Sequence, residues 1–116
     1  ALGCAQLENL DRYVADKRET AARYVEFFKG KEDITFFTEP ADCKSNYWLN
    51  AVVLKDKAAQ LDFLEYTNDH GVMTRPVWEL MNRLPMFEHC ETDGLENTEW
   101  LADRVVNIPS SVRLDK

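Results

Sequence analysis

The most constraining feature of this chain is an apolar repeat at helical spacing near its beginning. Apolar residues recur at intervals of 3, 4, 7, 3 and 4, which marks one face of an α-helix. The repeat comprises Leu7, Leu10, Val14, Ala21, Tyr24 and Phe28. We predict one helix over residues 2–29, ended by Gly30. Such a helix extends about 40 Å, which suits a strut between two domains or a helix packed against a partner.

Charged residues fill the gaps in this repeat, and we assign them to a solvated face. They are Asp11, Arg12, Asp16, Lys17, Arg18 and Glu19. The chain starts at Ala1 with no lead-in or cap before the helix. We therefore expect it to be the C-terminal piece of a longer protein.

Residues 31–116 predict a small α/β domain with a three- or four-stranded sheet flanked by helices. Its extended segments are predicted at Ile34–Phe37, Asn46–Leu54, Val72–Thr74 and Val105–Ile108. The second is apolar on both faces, which predicts a central strand covered on both sides.

Three shorter helices are predicted between these strands. The first covers residues 57–69, with Asp56 as N-cap, Leu61 and Leu64 facing inward and Gly71 at its end. The second starts at Pro76 and carries the apolar spacing of Val77, Leu80, Met81 and Leu84. The third covers residues 94–103, capped by Asp93, with Leu95, Leu101 and Ala102 inward. Residues 113–116 are expected to be frayed.

Composition excludes several classes of protein. Hydrophobic residues make up 45% of the chain, which is typical of a globular protein. The net charge of −7 argues against nucleic acid and anionic membranes as partners. It lacks an apolar run long enough for a transmembrane helix. The scattered Cys4, Cys43 and Cys90 favour reduced thiols and a cytoplasmic protein over a disulfide framework or a zinc site.

No stand-alone catalytic motif is present, and we expect neither a catalytic nor a metal site among these residues. His70 is predicted to lie at the surface near a helix end, and His89 lacks further metal ligands nearby.

Two segments stand out. In Asn46-Tyr47-Trp48-Leu49-Asn50 the aromatic rings suit either a core or a ligand pocket.

The second segment is Thr74-Arg75-Pro76-Val77-Trp78. Its arginine suits an anion site and its tryptophan a stacking surface. A structural salt bridge and a core tryptophan explain the same residues equally well.

The chain opens with the run Ala1-Leu2-Gly3-Cys4-Ala5-Gln6-Leu7-Glu8-Asn9-Leu10-Asp11. It is followed by Asn46–Asn50, Gly71–Trp78 and Asn107-Ile108-Pro109-Ser110-Ser111. In this order the segments together resemble blocks of the DegT/DnrJ/EryC1/StrS family of sugar aminotransferases, and the opening run is similar to the start of that family's C-terminal part. The Thr74–Trp78 block, with Leu84-Pro85-Met86-Phe87 downstream, is closest to the legionaminic-acid and perosamine branch.

The resemblance implies the C-terminal small domain of aminotransferase fold type I, reached through an interdomain helix over residues 1–30. A large domain, absent from this chain, would hold pyridoxal phosphate and its lysine, so the piece alone is expected to be inactive and to bind no cofactor. The parent would be a homodimer that transfers an amino group, with glutamate as donor, to a nucleotide-linked keto-deoxysugar. In this domain Asn46, Tyr47, Trp48, Arg75, Trp78 and Asn82 would bind that substrate.

Two alternatives remain open. Sugar dehydratases of the same superfamily use pyridoxamine phosphate and carry histidine in place of the lysine, which lies outside this chain. A non-catalytic α/β interaction module would instead bind a partner through the first helix. The oligomeric state separates these classes, because an apolar face stripped of its large domain predicts self-association.

Overall fold

The fold is built on one sheet with two central strands. The computed structural model describes residues 2–113. The helices are α1 (Leu2–Leu7), α2 (Leu10–Phe28), α3 (Lys57–Asp69) and α4 (Glu96–Ala102), and a 3₁₀ turn covers Met81–Arg83. The strands are β1 (Ile34–Phe36), β2 (Asn50–Leu54), β3 (Arg75–Pro76) and β4 (Val105–Ile108). The four strands form one antiparallel sheet in the order β1-β2-β4-β3, which confirms the predicted small domain with a three- or four-stranded sheet flanked by helices.

One face of the sheet carries the core. Val52 of β2 lies opposite Phe36 of β1 and Val106 of β4, and all three side chains are buried. Ala21 of α2 joins this core, and Ala59, Phe63 and Leu64 of α3 pack against it. Burial alternates along β2, because successive strand residues point to opposite faces. The prediction that this strand is covered on both sides is therefore wrong: only the face toward α2 and α3 is fully buried.

The first helix is interrupted, which corrects the prediction of one continuous helix over 2–29. The Asn9 amide N–H bonds the Gln6 carbonyl, three residues back, at 3.1 Å. The Asn9 side-chain amide donates to the Ala5 carbonyl at 3.0 Å. In a regular helix this carbonyl would accept from the backbone N–H of residue 9. Side-chain competition at this position therefore separates α1 from α2.

Three predicted helix boundaries are confirmed. Gly30 follows α2 with a φ of 75°, a conformation that glycine adopts without strain. Asp56 caps α3 by accepting from the Ala59 N–H at 2.8 Å. Gly71 closes α3 in a Schellman motif, in which its N–H bonds Asn68 and the Val72 N–H bonds Thr67. Leu64 packs on the core as predicted, but Leu61 is 53% exposed and the inward prediction for it is wrong.

The helix predicted from Pro76 is absent, since Pro76 pairs with Val106 in the edge strand β3. An edge strand tolerates the missing N–H of proline. The segment predicted to be extended at 72–74 lies just before this ladder and is itself unpaired. Only the short 3₁₀ turn remains of the predicted helix.

The last helix starts later than predicted. Gly94 and Leu95 both have positive φ angles, so α4 begins at Glu96, and Asp93 accepts from the Leu95 N–H at 3.3 Å without capping the helix. The predicted strand from Asn46 likewise begins only at Asn50, because Tyr47 adopts a φ of 46°. Leu101 is 38% exposed rather than inward.

The described residues bear on three further predictions. Across residues 2–113, no helix is both long and apolar enough to cross a membrane. The three cysteines are free and exposed, and the described side chains form no cluster of three or more potential metal ligands. Ala1 and residues 114–116 lie outside the described residues. The sequence predicts a frayed end over 113–116, and at Arg113 this prediction is wrong, because Asp16 holds that residue in place.

Candidate functional site

A tight turn over residues 45–48, here called the 45–48 turn, leads into β2. The Tyr47 N–H donates to Ser45 Oγ at 2.9 Å, and the Trp48 N–H donates to Asn46 Oδ1 at 3.0 Å. The Tyr47 ring is buried and stacks on Phe36, with 6.4 Å between ring centroids. Trp48 is 64% exposed and Asn46 is also exposed. The structure therefore assigns Tyr47 to the core and presents Asn46 and Trp48 to solvent.

An ion pair fixes the first residue of this turn. The Arg18 guanidinium of α2 contacts Glu39 in a bidentate manner, with Nη2–Oε1 at 2.6 Å and Nη1–Oε2 at 3.0 Å. Arg18 Nη1 also donates to the Ser45 carbonyl at 2.6 Å, and the Ser45 N–H donates to Glu39 Oε2 at 2.5 Å. These contacts, with the Arg18 hydrogen bond as the largest cause, lower the pKa of Glu39 to about 2. The same carboxylate raises the pKa of Arg18.

The neighbouring residues of α2 hold other segments, which corrects the assignment of Asp16, Lys17 and Arg18 to a solvated face, whereas Asp11, Arg12 and Glu19 are exposed as predicted. Lys17 Nζ donates to the Trp48 carbonyl at 3.3 Å and to the Ser110 carbonyl at 2.5 Å. Asp16 is buried and accepts from the Arg113 backbone N–H and guanidinium, both at 3.0 Å.

The helical spacing of the sequence indicates that two of these residues, Lys17 and Arg18, lie on the inward face of α2. Lys17 and Arg18 fall three and four residues after Val14, and Ala21 follows at seven, so all four share one face. The polar pair interrupts the apolar stripe where α2 crosses the 45–48 turn.

Arg75 lies on the sheet face opposite to the core. It pairs with Asn107 of β4, which in turn pairs with Ala51 of β2, so these three side chains share one face. Arg75 is exposed, and in the part of the chain that the structure describes its side chain has no hydrogen bond, ion pair or ring contact. Each other arginine has such a partner. The structural salt bridge considered for Arg75 is therefore not formed within these residues.

Arg75 and the 45–48 turn lie at the same end of the sheet. β2 starts at Asn50, opposite Ile108, and the next pair, Ala51 and Asn107, leads across to Arg75. Two strand spacings separate the backbones of Ala51 and Arg75, a distance of about 10 Å. The exposed Arg75, Trp48 and Asn46 thus lie at the same end of the sheet, with Arg75 on the face opposite to the core and the 45–48 turn bound to α2 on the core face.

Trp78 and Asn82 belong to the segment after β3. Trp78 is 77% exposed, so it is not a core residue of this chain. Asn82 lines a cavity of about 420 Å³ between the 3₁₀ turn and α4. That cavity is mostly apolar, with Leu80, Met81, Phe87 and Leu95 among its lining residues. None of the other five predicted site residues lines it, so the structure does not bring Asn82 together with them.

Both histidines are exposed. His70 is exposed at the C-cap of α3, as predicted, where its Nδ1 lies 2.7 Å from the Tyr66 carbonyl. Its ring stacks on Tyr66, with 4.1 Å between centroids. His89 is exposed in the loop after the 3₁₀ turn.

Two known protein sequences are similar to this chain over nearly its whole length. EpsN of Bacillus subtilis, a pyridoxal phosphate-dependent aminotransferase, is 29% identical over 113 residues, covering 94% of this chain and 29% of EpsN. GDP-perosamine synthase of Vibrio cholerae is 26% identical over 113 residues, covering 95% of this chain and 30% of the enzyme. This chain thus spans less than a third of the length of these relatives.

Solved structures share the fold. The aminotransferase TlmJ from Streptoalloteichus hindustanus superposes with a TM-score of 0.87 at 23% identity, over 98% of this chain and 30% of TlmJ. The Escherichia coli GDP-4-keto-6-deoxy-D-mannose-3-dehydratase superposes with a TM-score of 0.75 at 18% identity, over 94% of this chain and 29% of the dehydratase. Both likenesses concern the fold, which is that of aminotransferase fold type I.

The family model matches the entire sequence. Its description is the DegT/DnrJ/EryC1/StrS aminotransferase family, and the match runs over residues 1–116. The match agrees with the resemblance of the opening run and the Thr74–Trp78 block. This chain belongs to the DegT/DnrJ/EryC1/StrS aminotransferase family.

Proposed function

We propose that this chain is the C-terminal, substrate-recognising domain of a longer sugar aminotransferase, with α1 and α2 linking it to a large domain. The substrate we propose is a nucleotide-linked keto-deoxysugar, and the amino donor is glutamate. Family membership and the similarity to EpsN and GDP-perosamine synthase support this proposal. The resemblance also supports a cytoplasmic homodimer as the working form.

The exposed guanidinium of Arg75, which has no partner among residues 2–113, is the observation that carries the proposal. In a domain with 21 acidic and 14 basic residues, an arginine without a carboxylate partner is available for an external anion. A guanidinium binds phosphate or carboxylate through two parallel N–H donors. We assign Arg75 to the anionic part of the nucleotide sugar.

The other predicted site residues take complementary roles. Trp48 and Trp78 expose indole rings that suit the apolar face of a sugar or a base. Asn46 keeps its side-chain N–H₂ free among the described residues, while its oxygen closes the 45–48 turn, so it can still donate to a sugar hydroxyl. Asn82 has the same potential at its own cavity. Tyr47 acts through the turn that it anchors.

We propose that the described residues do not hold pyridoxal phosphate by themselves. Such a site needs a reactive lysine and a carboxylate for the ring nitrogen. Lys29 and Lys31 border a cavity of about 280 Å³ that no carboxylate lines, and both are exposed. Lys17 is bound to two carbonyls. We therefore propose that the cofactor, which supplies the electron sink, is held by the large domain.

The test is an assay of the full-length protein that contains this chain. Purified with pyridoxal phosphate, it is expected to aminate a nucleotide-linked 4-keto-6-deoxysugar with glutamate, and borohydride is expected to fix the cofactor covalently. No amination with any nucleotide-linked keto sugar would contradict the proposal.

A dehydratase is the second candidate, favoured by the structural likeness to the Escherichia coli enzyme. The same assay separates the two functions. Cofactor that binds but resists borohydride trapping, together with loss of a sugar hydroxyl instead of gain of an amine, would identify the dehydratase.

A further inference from the structure

We propose that Arg18 and Glu39 are positioning residues for the nucleotide sugar, acting through the 45–48 turn. This inference rests on the proposed function, because it concerns how the same site is held in shape. Neither residue is expected to touch the substrate.

The 45–48 turn needs an external support. Tyr47 has a φ of 46°, in the left-handed region that side-chain-bearing residues rarely adopt. A strained conformation persists only where the surroundings overdetermine it. The turn's own two hydrogen bonds involve side chains of its own residues, Ser45 and Asn46.

Arg18 and Glu39 supply that support from outside the turn. Together they bind both polar groups of the Ser45 backbone, the carbonyl through Arg18 and the N–H through Glu39. The Glu39 backbone N–H also donates to the Tyr47 hydroxyl at 3.3 Å, and the Arg18 guanidinium lies 5.6 Å from the centre of the Tyr47 ring. Tyr47 is therefore held at its ring, while Ser45, two residues earlier, is held at its backbone.

The support acts on exposed groups that have little packing of their own. Trp48 is 64% exposed and Asn46 is exposed, so their positions follow from the backbone of the turn. Lys17 fixes the far end by donating to the Trp48 carbonyl. With both ends tied to α2, a rigid helix, the turn presents Asn46 and Trp48 in one arrangement.

The experiment uses the full-length protein with three single variants. Arg18→Gln removes the charge pair, and Glu39→Gln keeps an acceptor for the Ser45 N–H while removing the charge. Arg23→Gln is the matched control, because Arg23 pairs only with Glu19 on the exposed side of the same helix among the described residues. The readouts are hydrogen exchange of the peptide covering residues 44–50, and the separate KM values for the keto sugar and for glutamate.

We expect Arg18→Gln to accelerate exchange in the 44–50 peptide and to raise the KM for the keto sugar about tenfold or more, since small misplacements of binding groups are costly. Glu39→Gln should give a smaller change in the same direction. In these variants the KM for glutamate should stay within about twofold of the wild-type value. In the Arg23→Gln control, both KM values should stay within the same limit.

Two results would overturn the inference alone: unchanged exchange in Arg18→Gln, or an active enzyme whose KM values for both substrates shift equally. An inactive wild type that binds no nucleotide sugar would instead overturn the proposed function, and this inference with it. The state of the wild type thus distinguishes the two failures.

Discussion

Arg18 and Glu39, 21 residues apart in the sequence, meet through two parallel hydrogen bonds of 2.6 and 3.0 Å. The pair joins α2 to the loop that follows β1. Because it also takes both backbone groups of Ser45, it closes a ring of contacts around the start of the 45–48 turn. A residue assigned by its charge to the solvated face of a helix is thus a structural contact of the proposed site.

The first prediction concerns pH. The pKa of Glu39 falls from 4.5 to about 2 on folding, so the unfolded chain binds more protons between these values. The stabilisation linked to this carboxylate is therefore complete above pH 4.5 and is lost as the pH falls toward 2. An NMR titration of the Glu39 side-chain carboxyl should give a midpoint near 2, and Arg18→Gln should move it upward. A midpoint of the wild type near 4.5 would refute this account of the pair.

The second prediction concerns the core. Val52 is fully buried between β1 and β4, and its truncation removes two methyl groups and leaves a cavity. We expect Val52→Ala to lower the free energy of unfolding by about 2 kcal/mol, measured by urea denaturation. Val25→Ala, at a position 40% exposed on α2, should change it by less than about 0.5 kcal/mol. Equal effects of the two variants would contradict the described core.

The third prediction concerns the start of α3. Asp56→Ala removes the acceptor of the Ala59 N–H, and loss of such a cap costs about 1 kcal/mol of stability. Asp62→Ala is the control, since Asp62 is an exposed residue in the middle of the same helix. Thermal unfolding monitored by circular dichroism should separate the two variants, and a lower midpoint for Asp62→Ala than for Asp56→Ala would count against the cap.

The fourth prediction concerns α1. Leu2, Leu7 and Leu10 are 78%, 68% and 49% exposed, although two of them belong to the apolar repeat. Exposed apolar clusters mark surfaces that are covered in an assembly. We expect the isolated chain to self-associate in sedimentation velocity, and Leu7→Ser to reduce this while Leu61→Ser on α3 does not. A monomer at every concentration would favour the alternative of an independent interaction module.

Local chemistry was sufficient to predict much of the fold from sequence. Gly30, Asp56 and Gly71 mark helix ends because their conformations or side chains satisfy the terminal backbone groups. The β-branched run at Val105–Ile108 became a strand for the same local reason. The resemblance of the Thr74–Trp78 block identified the family, which composition and charge did not.

Tertiary contacts decided the rest. Pro76 is a good first residue for a helix, but pairing with β4 draws it into the sheet edge. The sequence predicts that Tyr47 is part of a strand. In the structure its ring packs in the core beside Phe36, and its backbone adopts a positive φ angle instead of an extended conformation. For the proposed site, the sequence indicates Arg75 and Trp48, and the helical spacing places Lys17 and Arg18 on the inward face of α2. That these two residues and Glu39 bind the 45–48 turn follows only from the tertiary contacts.

The most direct test of the central claim, that this domain recognises a nucleotide sugar through Arg75, is steady-state kinetics of the full-length protein with Arg75→Gln. Loss of one charge-assisted contact should raise the KM for the nucleotide sugar about 10- to 100-fold. The KM for glutamate should remain within about twofold, and Arg75→Lys should recover part of the loss because it retains the charge. An unchanged KM for the nucleotide sugar in Arg75→Gln would contradict the claim.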